Sequence, residues 1–225
     1  RGVMIQVGRG LGEIRVDGEL IYAQAGGSLA RLAAVARQES LTGLEFASGI
    51  PGTLGGAVMM NAGAYGGEMK QVIVSARALA PGGEIREIPV KKLELGYRTS
   101  IFAANEDIIL GAVMKLEKGD KDQIQDYMDE LKRRRVEKQP LEYPSAGSTF
   151  KRPEGHFAGK LIEDAGLRGF SVGGAQVSEK HCGFVINKGK ATAADILSLM
   201  EQVAERVERQ SGIRLVPEVK RIGEF

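Results

Sequence analysis

The segment that most constrains this chain runs from Gly49 to Gly67 and reads Gly-Ile-Pro-Gly-Thr-Leu-Gly-Gly-Ala-Val-Met-Met-Asn-Ala-Gly-Ala-Tyr-Gly-Gly. It is too apolar for a solvent loop. It is also too rich in glycine for a plain helix, where each interior glycine costs about 1 kcal/mol relative to alanine. Further glycine clusters fall at 8–12, 26–27, 81–83 and 155–174, and the 31 glycines of the 225 residues follow no collagen-like period. Strongly patterned sequence separates them. Glycine used in this way marks tight turns and places where backbone approaches a ligand closely.

The patterned stretches predict the elements. Val3 to Val7, Glu13 to Val16 and Leu20 to Ala25 read as short strands split by glycine turns. Ser28 is placed to cap a helix over 29–39, whose apolar positions Leu29, Leu32, Ala33 and Ala36 recur at helical spacing. Val72 to Leu79 and Glu84 to Pro89 flank Pro81-Gly82-Gly83 as a hairpin, and Asp107 to Leu116 is a further strand. Residues 120–138 form an amphipathic helix with Ile124, Tyr127, Met128 and Leu131 as its stripe. Acidic residues lie near its start and Lys132 to Arg135 near its end, which suits the helix dipole, so the basic run reads as a solvated helix end. Gln139 to Pro144 resembles a linker. Beyond it come a short helix at Phe157 to Ala165, a strand at Gly183 to Asn187, and a last helix opened by Thr192 and Asp195 as a capping box and stopped by Gly212. Ile213 to Ile222 closes the chain as a strand. The result is an α+β chain in two parts, 1–139 and 140–225.

Composition excludes several classes. With 31 basic and 29 acidic side chains the net charge of +2 gives no argument for nucleic acid or a membrane surface. No apolar run is long enough for a transmembrane helix, and no secretory signal opens the chain. A single cysteine, Cys182, forbids an internal disulfide and fits a reducing cytosol. His156, His181 and Cys182 lack metal-ligand spacing. Gly8-Arg9-Gly10-Leu11-Gly12 lacks the dinucleotide fingerprint, and Gly189-Lys190-Ala191-Thr192 is not a P-loop.

Three polar segments stand out besides the glycine run. Gly96-Tyr97-Arg98-Thr99-Ser100 sets an arginine beside the apolar pair Ile101 and Phe102. Gly147-Ser148-Thr149-Phe150-Lys151-Arg152 puts a serine ahead of two cations, and Pro217-Glu218-Val219 puts a carboxylate in an apolar stretch. Each alone reads as a surface arginine, a turn serine and an edge glutamate. In this order and spacing, with the glycine run, they resemble the UDP-N-acetylenolpyruvoylglucosamine reductase family over essentially the whole chain. His156 to Glu163 with Ser178-Glu179-Lys180-His181 is similar to the subclass lacking an extra tyrosine-bearing loop.

The resemblance implies a flavoprotein oxidoreductase of peptidoglycan synthesis in the cytoplasm, serving cell wall biogenesis, cell shape and division. The implied fold is part of a vanillyl-alcohol-oxidase-type FAD-binding domain, here 1–139, followed by a smaller α+β substrate-binding domain, here 140–225. FAD and NADPH are the implied cofactors, a UDP-sugar is the substrate, and no nucleic acid, membrane or obligate protein partner is implied. Arg98 would stabilise charge on the substrate carboxylate, which lysine does poorly. Ser148 would donate a proton, polarised by Lys151 or a water. Glu218 would orient Arg98, or be protonated and donate a hydrogen bond. Gly49, Ile50, Pro51, Gly52, Gly55, Asn61, Gly63 and Gly66 would line the flavin, with Asn61 on a polar edge. Lys138, Lys151 and Arg152 would meet the diphosphate, although other members carry asparagine at the position of Arg152. The family has a further lobe before the point matched by Arg1, with a Gly-Ser-Asn loop for the FAD pyrophosphate. The resemblance therefore implies a chain that alone binds FAD weakly or not at all. A sugar oxidase of the same fold, and a UDP-sugar-binding module without turnover, are the competing readings, and an oxidase needs no proton donor for an enolate.

Overall fold

The structure, a computed structural model, describes residues 3–223. They divide into two compact units, Val3–Arg135 and a second that runs from Val136.

In the first unit, β1 (Ile14–Asp17) and β2 (Leu20–Gln24) form a hairpin whose turn holds Gly18 at a φ of 61°. Next come α1 (Leu29–Gln38), β3 (Leu41–Thr42), α2 (Leu54–Met59), β4 (Gly63–Ala64) and β5 (Gly67–Glu68). They are followed by β6 (Ile73–Leu79), β7 (Ile85–Pro89), β8 (Ile108–Lys115), β9 (Glu117–Lys118) and α3 (Lys121–Lys138), which runs on past Arg135. The main sheet has the order β1-β2-β8-β6-β7 and is antiparallel throughout. Alternation along the strands turns Ile21, Ala23, Ala76, Ala112 and Met114 into one core with α1 and α2. The cap on α1 is as expected, with Ser28 Oγ accepting the Arg31 N–H at 3.3 Å.

The second unit contains β10 (Ser145–Ser148), α4 (Ala158–Asp164), β11 (Ser171–Val172), β12 (Ala175–Val177), β13 (Phe184–Asn187) and α5 (Ala193–Ser211). Its antiparallel sheet runs β10-β13-β12-β11. Leu199, Met200, Val203, Ala204 and Val207 of α5 are buried in a core shared with Phe150, Ile162, Ala175, Val177 and Val185. The capping box forms: Thr192 Oγ1 accepts the Asp195 N–H at 3.1 Å, and Asp195 accepts the Thr192 N–H at 2.9 Å. Gly212 ends the helix in the left-handed conformation, with φ 72°.

Three expectations are corrected. Val3 to Val7 is not a strand: Val3, Met4 and Ile5 are exposed, and among the described residues no neighbour pairs with them, so β propensity has no ladder to act through. Ile213 to Ile222 makes one isolated bridge, Phe150 with Pro217, instead of a full strand. Pro217 has no N–H to extend a ladder. The predicted stripe on α3 narrows to Ile124 and Leu131, because Tyr127 is exposed and Met128 only half-buried.

Gly111, in the middle of β8, is needed for close approach between strands. A Cβ there would lie 2.6 Å from the Ala23 carbonyl oxygen. Gly111→Ala is expected to lower stability by about 1–3 kcal/mol, as overpacking does. Equilibrium urea unfolding checks this; an unchanged midpoint would show that β2 and β8 separate freely.

Candidate active site

The glycine run folds around a short helix. Leu54 donates to the Gly27 carbonyl and Gly55 to the Ala25 carbonyl, both at 2.8 Å, which fastens the start of α2 to the end of β2. A Cβ at Gly55 would meet Ala25 Cβ at 3.0 Å, and one at Gly63 would meet the Gly67 carbonyl at 2.7 Å. These two glycines therefore admit the chain's own atoms. Gly49, Pro51 and Gly52 are exposed, and nothing lies within 4 Å of a Cβ built at Gly52 or Gly66. Gly49 has the Arg135 guanidinium as its neighbour, at 3.4 Å from such a Cβ. The result is an exposed stretch of nearly side-chain-free backbone flanked by a cation, with Ile50 half-buried beside it. Such a surface fits a flat, anionic cofactor such as FAD.

The Asn61 side chain bonds within the protein. It is 2% exposed and faces inward. Nδ2 donates to Glu68 Oε2 at 2.8 Å and to the Gly96 carbonyl at 3.1 Å, and Oδ1 accepts the Lys70 N–H at 2.9 Å. Both amide hydrogens are thus used within the chain, and Asn61 ties the glycine run to the loop that carries Arg98.

That loop is a tight turn. Gly96 and Thr99 exchange backbone hydrogen bonds at 3.2 and 3.4 Å, leaving Tyr97 and Arg98 at the tip. Arg98 has a φ of 54°, a left-handed conformation that costs a non-glycine residue about 1–2 kcal/mol. The turn is held on both sides. Asn61 binds the Gly96 carbonyl, and the buried Ser100 hydroxyl donates to the Met59 carbonyl at 2.7 Å. Phe102, 2% exposed, anchors the following residues in the core. The Arg98 guanidinium stands 5.5 Å from the Tyr97 ring centroid.

In the second unit Ser148 ends β10 opposite Phe184, with its side chain exposed. Thr149 and Phe150 behind it are buried. Glu218 donates its backbone N–H to the Thr149 carbonyl at 2.8 Å, so Ser148 and Glu218, 70 residues apart in sequence, become backbone neighbours. Ser145 serves its own turn, accepting the Gly147 N–H at 3.4 Å where Gly147 has a φ of 86°. Lys138 and Lys151 are exposed. Arg152 is exposed too; its Nε donates to the His156 carbonyl at 3.3 Å and its guanidinium lies 4.0 Å from the Phe157 ring centroid.

His181 is held as a neutral ring. Its Nδ1 accepts the Gly183 N–H at 3.0 Å, its edge meets Phe184 with centroids 5.0 Å apart, and burial pushes its pKa below the usual imidazole value. Burial pushes the neighbouring Cys182 thiol up. Sequence reasoning gave no separate role to Thr149, Ser100 and Glu68, and read Arg135 as part of a solvated helix end. A concavity of about 430 Å³ opens on the sheet face turned away from α1 and α2, lined among others by Arg15, Tyr22, Gln24 and Arg77, and none of the expected site residues lines it.

Comparison with known proteins agrees across both units. Residues 139–222 match the family model of the UDP-N-acetylenolpyruvoylglucosamine reductase C-terminal domain, and residues 1–89 match that of an FAD binding domain. The chain is similar to the UDP-N-acetylenolpyruvoylglucosamine reductase of Agathobacter rectalis, 57% identical over all of this chain and 76% of that protein. It is 52% identical to the enzyme of the same name from Caldanaerobacter subterraneus subsp. tengcongensis, over all of this chain and 74% of that protein. The crystal structure of UDP-N-acetylenolpyruvylglucosamine reductase from Thermus caldophilus matches with a TM-score of 0.76 at 35% identity, covering 86% of this chain and 70% of that one.

Asn61→Ala removes a buried side chain that supplies one acceptor and two donors, at a residue whose φ is 41°. It is expected to cost about 2–3 kcal/mol in urea unfolding, in keeping with the penalty for stranded buried polar groups. A loss below the error of the measurement would mean that the Arg98 turn holds itself. For His181 the unfolded chain takes up the proton first, because the folded pKa is the lower one. Its stabilising contribution is complete above the unfolded value of about pH 6.5 and is lost below it, as pH falls through the lower folded pKa. The urea midpoint should drop between pH 7 and 5, and the drop should be smaller in His181→Gln; equal drops would exclude this origin.

Proposed function

Because this chain belongs to the UDP-N-acetylenolpyruvoylglucosamine reductase family, we propose that it reduces the enolpyruvyl double bond of UDP-N-acetylglucosamine enolpyruvate. The product is UDP-N-acetylmuramate, a peptidoglycan precursor, and the reaction belongs in the cytoplasm, where NADPH and the UDP-sugar are available. The observation that carries this reading is the junction at Thr149, where an exposed serine hydroxyl and a glutamate are fixed as backbone neighbours. An oxidase of the same fold would have no use for a positioned hydroxyl acid.

On this reading residues 1–139 take the flavin and residues 140–225 take the UDP-sugar. Gly49, Ile50, Pro51, Gly52 and Gly66 would hold FAD against exposed backbone, with Arg135 near its negative charge. Gly55 and Gly63 shape that backbone, and Asn61 positions it. When bound, FAD supplies hydride, taken from NADPH, to the terminal carbon of the double bond.

The chain's own residues do the rest. Hydride addition pushes negative charge onto the substrate carboxylate, and the Arg98 guanidinium can bind both carboxylate oxygens with its planar fork. The strained turn fixes its direction beforehand, so little reorganisation accompanies the reaction. Ser148 gives its hydroxyl proton to the adjacent carbon and, being exposed, recovers one from water. Glu218 sets the polarity around that carbon, either as an ionised partner for cations or as a protonated donor. Lys138, Lys151 and Arg152 supply positive charge for the diphosphate.

Ser148→Ala in the FAD-loaded enzyme tests the reading. Turnover, followed as NADPH consumed in the presence of UDP-N-acetylenolpyruvoylglucosamine, should fall about 10²–10⁴-fold. Reduction of the flavin by NADPH should be unchanged. A variant that turns over like the parent enzyme removes Ser148 as the acid.

A further inference from the structure

We propose that Thr149 is the positioning residue that sets both Ser148 and Glu218, an inference that rests on the reductase reading above. The pairing of β10 with β13 changes register between Ser145 and Ser148. An irregularity of this kind disrupts the regular ladder locally. Val185 N–H, which faces β10, donates to Thr149 Oγ1 at 2.9 Å, inside the protein.

Thr149 makes two further backbone bonds. Its N–H donates to the Gly183 carbonyl at 2.9 Å, and its carbonyl accepts the Glu218 N–H at 2.8 Å. One residue, 2% exposed, thus joins β13, the loop before it and the C-terminal segment. Its β-branched side chain has few rotamers, so the hydroxyl is held where Val185 needs it. The serine that delivers the proton is the preceding residue, so its place follows that of Thr149. The glutamate hangs on the Thr149 carbonyl. A shift of Thr149 moves both groups together.

Thr149→Val keeps the shape of the side chain and replaces the acceptor with a methyl group. In the FAD-loaded enzyme we expect kcat for the UDP-sugar to fall about 10- to 100-fold, the size of effect that a small misplacement of a reacting group produces. The rate of flavin reduction by NADPH and the KM for NADPH should stay at parent values. The solvent deuterium isotope effect on kcat should rise, because proton delivery becomes slower. Independently of turnover, the Val185 amide should exchange with deuterium faster. Thr149→Ser, which keeps the acceptor, should restore kcat and the slow exchange, and it carries the test if Thr149→Val fails to fold.

Two results overturn the proposal. One is a Thr149→Val enzyme with parent kcat and isotope effect although Val185 exchange has accelerated. The other is a Thr149→Ser enzyme that keeps slow exchange but is slowed as the valine substitution is expected to be. Failure of the reductase reading looks different: the parent enzyme itself would not turn over the UDP-sugar, whereas the acceleration of Val185 exchange in Thr149→Val would remain.

Discussion

A chain with this much glycine holds irregular backbone in one conformation only if its buried peptide groups find partners. Buried side chains help to meet that need where the regular bonding is interrupted. In the first unit the Asn61 amide serves Gly96 and Lys70 together with the Glu68 carboxylate. In the second the Thr149 hydroxyl serves Val185. Asn61 holds Gly96 in the turn that carries Arg98, Thr149 directly follows Ser148, and both side chains are nearly inaccessible to water. Low dielectric surroundings strengthen such bonds and raise the penalty for breaking them. Precision at Arg98 and Ser148 is a consequence of that penalty.

The two units use this device on different scaffolds. Arg98 sits at the tip of a turn that springs from a buried anchor, Phe102, and its left-handed conformation is tolerated because Asn61 and Ser100 fix the flanks. Ser148 sits at the end of a strand, where the sheet itself supplies most of the rigidity. A group that must meet developing charge gains from being fixed in advance, since water and side chains then need not rearrange. The exposed backbone at Gly49 and Gly52 contrasts with this. There the absence of side chains leaves the backbone open to the outside.

Much of the fold could be read from the sequence because local signals and tertiary packing agree. Leu29, Leu32, Ala33 and Ala36 on α1, the Thr192–Asp195 box and the glycine after α5 each state their own geometry. The β6–β7 hairpin is announced by Pro81-Gly82-Gly83. Val3 to Val7 and Ile213 to Ile222 misled because strand propensity says nothing about whether a partner lies alongside. Two-residue strands such as β4 and β5 are too short to carry a period. Of the residues with proposed roles, Arg98, Ser148 and Glu218 stood out through the order of motifs, but their supports did not. Asn61 reads in sequence like a ligand-facing amide, and its partners, 7, 9 and 35 residues away, become visible only once the chain is folded. Thr149 depends on Val185, 36 residues away, and reads locally as a neutral strand residue.

The most direct measurement is an anaerobic one. The FAD-loaded enzyme is reduced with one equivalent of NADPH, then mixed with UDP-N-acetylenolpyruvoylglucosamine in the absence of oxygen while flavin absorbance is followed. Return of the oxidised spectrum in step with the formation of UDP-N-acetylmuramate is the expected result. A flavin that stays reduced until oxygen is admitted would contradict it and would make the protein an oxidase on the same scaffold.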